Sequence, residues 1–420
     1  MKNISITKKI GIKDVYSSNI FLRKLWTLLN NNALKEGRTA NGWQYSTYRL
    51  NEKENWFSIG SCNEAGEVLV QLNNQGGIEI IGFVLQNQDK DAIEEIVNTA
   101  LGNTLKTSPY KCTFVFDSYG AKCADASFGK VLFTNSDNRI LVSIGLNAYC
   151  QEDARYIISN IRPYVLGLLF SYYKNNIRFE KNIFSQEDVI TDSKGYCEKQ
   201  KEWFDYDEVP INNKGEYIVQ IQLLKTLNIL PSIVERRNNP IFDILNSSRN
   251  ISLAYGLLST YLSADCIERL SDRTLLEGYV NGIIMSSIES LATRGTTPTR
   301  CELCGQPVYS ISKRVYDYIE SNFNQTLAGE AKFLYNKRSK LFHENRISLF
   351  EYGRLSWPQL LTDKKDKDLE KMSLGDYKTK NVFANHNTPF YINFIDYTIF
   401  LIRKELDTFW QQNNKDSFSH

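Results

Sequence analysis

Histidine is the scarcest titratable residue of this chain, with three copies in 420 positions against 50 Lys and Arg and 48 Asp and Glu. No His-Glu-x-x-His pair, no Gly-x-Ser-x-Gly elbow and no glycine-rich phosphate loop ending in lysine occurs, so zinc-peptidase, α/β-hydrolase and nucleotide-hydrolase chemistry are set aside. Long apolar runs are missing too. The richest, 164–169 and 397–402, are too short to span a bilayer, and no apolar leader follows the first lysines. The expectation is a cytoplasmic protein with no membrane partner. Net charge is only +2, which argues against nucleic acid coating the whole surface and makes any such contact local. The eight cysteines, at 62, 112, 123, 150, 197, 266, 301 and 304, are too scattered for a disulfide scaffold and fit reduced thiols. No internal repeat or low-complexity tract is present.

Apolar content of 42% and charged content of 23% describe an ordinary globular chain, long enough for two domains with buried cores. Residues 40–150 read as strands: 66–72 and 77–85 alternate or run apolar around the turn sequence Asn73-Asn74-Gln75-Gly76, and 111–116 and 129–146 continue the pattern. A helix is expected at 91–101. Trp43, Tyr45, Trp56 and Phe57 suit either a core or a recognition surface. From Glu152 the period becomes helical up to Tyr173, and 180–215 reads as a polar connection with a short strand at 217–221. Beyond Pro231 helices are expected at 241–246, 251–270, 275–292, 310–323, 329–342 and 391–410. The fold class predicted is therefore an α+β N-terminal module, 1–230, followed by an all-α helical bundle, 231–420.

Chemistry concentrates in one place. From Lys332 to Arg346 five Lys or Arg stand against one acidic residue, Glu344, and His343 lies among them. Arg338 is a phosphate clamp by its geometry, and a histidine moves protons near neutral pH. On a helix, Ser339 and His343 share a face, whereas Arg338 and His343 are about 140° apart and converge more easily across a subunit interface. Lys337, Lys340 and Arg346 would hold flanking phosphates, and a plain solvated basic face is the alternative for the same residues.

The order of features extends this. A long helix with Glu289, then Ile311-Ser-x-Arg314, then Tyr335, Arg338, Ser339 and His343, then a last long helix, resembles the HEPN superfamily and its Apea-like branch over residues 241–411. The resemblance implies a HEPN-like helical domain that forms a homodimer or higher homo-oligomer. It implies RNA as the partner, with no metal and no cofactor, and Arg338 and His343 as the catalytic pair of an endoribonuclease. By the same resemblance the chain would be an anti-phage or abortive-infection effector, with a phage-derived or host trigger acting on the N-terminal module. A non-catalytic HEPN-type RNA- or protein-binding module is the other expectation. Cys301 and Cys304 form half of a zinc site whose other half is missing. Glu330-Ala331-Lys332 reads as helix surface charge, and His386 and His420 as solvated.

Overall fold

The computed structural model describes residues 4–35, 48–49, 55–62, 65–85, 88–102, 104–189, 211–234, 239–263, 270–294, 311–344 and 393–416. Two five-stranded antiparallel sheets come first. One holds β1 (Ile6–Lys9), β2 (Tyr48–Arg49), β3 (Phe57–Cys62), β4 (Gly66–Leu72) and β5 (Ile78–Val84) in the order β1-β5-β4-β3-β2. The expected hairpin is β4 with β5, Gln71 facing Ile80 and Leu72 facing Ile78. Its turn is closed by the Asn73 side chain, which accepts from Gln75 N and Gly77 N at 2.9 Å, while Gly76 takes φ +78°, a conformation that costs glycine little.

Helices α1 (Val15–Lys35) and α2 (Lys90–Leu101) cover this sheet. Phe21, Leu25 and Leu29 recur every four residues along α1 and are buried with Val68, Ile81 and Phe83 of the sheet and Ile93 and Val97 of α2. Asp14 caps α1 by accepting from Ser17 N at 2.8 Å, and Asp89 caps α2 through Asp91 N. Trp56 is buried against Gly82, and Phe57 is half-buried, so this pair belongs to the core; Trp43 and Tyr45 lie outside the described residues.

The second sheet holds β6 (Ser108–Asp117), β7 (Ala126–Phe128), β8 (Val131–Ser136), β9 (Arg139–Ala148) and β10 (Arg178–Ser185), in the order β10-β6-β9-β8-β7. In both sheets a first strand pairs with the last strand of a following meander, and a helix comes next, although the sequence shows no repeat. Here that helix is α3 (Gln151–Tyr173), whose Ile157, Ile161, Val165 and Leu168 bury against Phe114, Val142 and Ile144. β10 lies in what was expected to be the start of a polar connection. It is a strand because its backbone completes β6 at the sheet edge, where its charged side chains stay in water.

Six helices make the described C-terminal part: α4 (Ile221–Ile233), α5 (Ile241–Ser263), α6 (Leu270–Ala292), α7 (Ile311–Asn322), α8 (Gln325–Glu344) and α9 (Asn393–Asp416). The strand expected at 217–221 is not formed; Tyr217 makes isolated bridges to Cys123 and Ile211, and helix α4 starts at Ile221. Nor does the chain break near 247–250. Ser247 and Ser248 sit mid-helix with no exposure because each hydroxyl meets another at a helix crossing, Ser287 at 2.8 Å and Ser171 at 2.9 Å. At the second crossing Gly167 lets α3 and α5 touch backbones, since a Cβ there would stand 2.6 Å from Arg249 N.

The α+β-then-helical order is as expected, but the apolar cores divide differently from 1–230 and 231–420. The first sheet has its own core, whereas the core of the second sheet runs without interruption through α3 into α5, α6, α8 and α9. Position 231 falls inside α4. Among the described residues no helix is long and apolar enough to cross a membrane.

Candidate functional site

Helix α8 buries one stripe, Leu327, Ala328, Ala331, Leu334 and Tyr335, and Arg338 continues that stripe at the next turn. Its guanidinium is therefore turned toward α6 rather than into water, with 21% of the side chain exposed. Nη1 lies 2.8 Å from Glu289 Oε2 and donates to the Tyr335 hydroxyl at 3.2 Å; Nη2 donates to Ser286 Oγ at 3.1 Å. The contact with Glu289 is an ion pair between α8 and α6. The guanidinium carbon also sits 5.3 Å from the Tyr335 ring centre, within cation–π range.

Ser286 and Glu289 reach Arg338 together because they are three residues apart on α6 and share a face. Asn281 on the same helix donates to Leu334 O at 3.3 Å and ties α6 to α8 one turn before the arginine. Burial pushes the Tyr335 phenol above its ordinary value, and the Glu289 carboxylate adds to this against the opposing pull of Arg338. The phenol is thus neutral at physiological pH and keeps a proton to donate. The constellation is a half-buried cation held from three sides.

His343 follows Arg338 by five positions on α8, and its side chain lies outside the described residues, as do those of Lys337 and Lys340. An ideal helix sets positions five apart about 140° away from each other. Ser339 is half-buried, one turn before His343. Arg346, Cys301, Cys304, His386 and His420 lie outside the described residues. Lys332 is exposed and lies 5.8 Å from the Tyr316 ring centre, which fits the surface reading of Glu330-Ala331-Lys332.

A solvated basic face does not describe Arg338, whose head group is shared among α6 and α8 side chains. Sequence reasoning found the arginine and passed over Ser286. A signal was available on α6: from Gly278 to Thr293 the only charged residue is Glu289, and a lone carboxylate in so apolar a helix needs a cation.

Among the described cysteines, Cys62, Cys112 and Cys123 are buried and Cys150 is half-buried, and none of the four is in a disulfide. Burial pushes both Cys112 and Cys123 up to about 12, so neither is a nucleophile at neutral pH. No group of described His, Cys, Asp and Glu residues has the arrangement of a metal site. Compared with protein-family models, with curated proteins and with solved structures, the chain finds no match.

Proposed function

We propose that the helical part is a metal-independent endoribonuclease of the kind its Apea-like HEPN resemblance implies, with Arg338 as phosphate clamp and His343 as proton carrier. The observation that carries this is the fixation of Arg338 by Glu289, Ser286 and Tyr335. A guanidinium whose plane is set before substrate arrives stabilises charge building on phosphorus without reorganising. In the reaction the RNA 2′-hydroxyl attacks the adjacent phosphorus while a base removes its proton. The bond from phosphorus to the 5′ oxygen then breaks as an acid protonates the departing oxygen.

Two proton transfers ask for two groups, and each subunit offers one histidine in this segment. A homodimer supplies both, with its two arginines between them. The chain is then a cytoplasmic anti-phage or abortive-infection effector whose N-terminal part answers a phage-derived or host trigger, a role taken from the family resemblance. Cleavage by this route leaves a 2′,3′-cyclic phosphate and a 5′-hydroxyl, persists in EDTA, and spares DNA of the same sequence. Mapping the ends of cleaved transfer RNA checks it; 5′-phosphate ends, or activity only with added metal, contradict it.

A second reading, a non-catalytic RNA- or protein-binding module, draws on the Glu289 carboxylate that balances the Arg338 charge in the unbound chain. It predicts RNA retention with intact RNA.

A further inference from the structure

Helix α1 of the first unit meets the start of α3 through a polar stripe. Arg23, Thr27 and Asn30, spaced four and three apart on one face of α1, meet Asp153, Cys150 and Glu152 at the start of α3. The Arg23 guanidinium grips the Asp153 carboxylate with two nitrogens, at 2.5 and 2.9 Å, and that carboxylate is 1% exposed. Asp153 also accepts from Tyr149 N at 2.9 Å, and Arg23 lies 5.6 Å from the centre of the Tyr149 ring. The tyrosine ring is thereby fixed at the junction.

A cleft of about 250 Å³ opens beside this ring. Its walls come from four parts of the chain: Tyr16 and Arg23 from α1, Thr107, Asn147 and Tyr149 from the second sheet's end, Ile157 from α3, and Pro231 from α4. The volume is below the roughly 300–1,000 Å³ of sites for drug-sized ligands, so the occupant is small. The charges at its rim are balanced. Arg23, in the wall, is matched by Asp153; Lys130, outside the lining, donates to the side-chain Oδ1 of Asn147 at 3.1 Å and lies 3.7 Å from Asp188. Asn147 and Thr107 add neutral hydrogen-bonding groups to the lining. Aromatic rings, a proline face and neutral hydrogen-bonding groups suit a flat polar ligand without formal charge; a phosphate or carboxylate would meet a cation, Arg23, already paired with Asp153.

We propose that this cleft binds an uncharged heteroaromatic ligand of nucleobase or nucleoside size. Its occupant would touch the first unit, the second sheet and the helix that leads into the helical part, and so favour one arrangement of the three.

The test is calorimetric titration of the full chain with adenosine, guanosine, cytidine and uridine, each beside its 5′-monophosphate. At least one nucleoside is expected to bind saturably, and its monophosphate more weakly. Thr107→Phe alters an exposed residue and fills the cleft, and is expected to weaken that binding by about tenfold or more, one decade for each 1.4 kcal/mol of lost contact. Failure of all four nucleosides to bind, a monophosphate binding as tightly as its nucleoside, or undiminished binding by Thr107→Phe overturns the proposal. None of these readouts involves RNA cleavage, so they fail or succeed independently of the ribonuclease reading.

Discussion

Arg338→Ala is expected to lower RNA cleavage by about 100-fold or more, the usual scale for removing one preorganised donor from a developing oxyanion. The side chain has two jobs in the proposed reaction: it neutralises the non-bridging phosphate oxygens, and its plane orients them. Arg338→Lys is expected to restore little. A lysine carries the charge, but its single ammonium cannot reproduce a fork that reaches Ser286, Tyr335 and Glu289 together. Cleavage rates under single-turnover conditions report the loss, and the thermal transition of each variant reports whether the fold survives. Truncation also leaves Glu289 without its partner in a half-buried place, which costs on the order of 1–2 kcal/mol. A variant that stays folded yet cuts as fast as wild type would remove Arg338 from the mechanism.

The largest expected stability effect belongs to Arg403, which is 4% exposed on α9. Its Nε donates to Ser171 O at 2.6 Å and its Nη2 to Tyr172 O at 2.9 Å, so a buried cation closes the C-terminal end of α3. A positive charge there complements the helix dipole and satisfies carbonyls that have no partner within the helix. Burial pulls the Arg403 guanidinium down to about 10, still charged at neutral pH. Arg403→Ala strands both carbonyls and leaves a void, and the expected loss is about 3–5 kcal/mol. Because the core is continuous from the second sheet into the helices, the whole of that body should unfold earlier in urea, with circular dichroism from strands and helices lost together. A change below about 0.5 kcal/mol would mean that water or another side chain serves those carbonyls.

What the sequence made legible follows from how local the cause is. The 66–85 hairpin was readable from alternation plus Asn73 and Gly76, and α3 from its spacing, because both patterns lie within a short window. Helix α1 escaped because Ser17, Ser18 and Asn19 at its start and Asn30, Asn31 and Asn32 near its end disfavour helix locally; the buried Phe21, Leu25 and Leu29 override them. Helix α4 carries helical spacing in Leu223, Leu224, Leu227 and Leu230, but Pro231, which sits inside the helix, reads as a boundary. The unbroken α5 depends on serine hydroxyls supplied by α3 and α6, which nothing in its own sequence announces. The site shows the same divide: Arg338 was visible in its motif, but Ser286 is 52 positions away and acts only because α6 and α8 pack together.

The most direct measurement is cleavage of transfer RNA in EDTA by purified wild-type chain beside His343→Ala. Wild type is expected to cut and the variant, folded to the same Tm, to leave the RNA intact. Intact RNA with the wild type, or equal cutting by His343→Ala, would contradict an arginine–histidine ribonuclease.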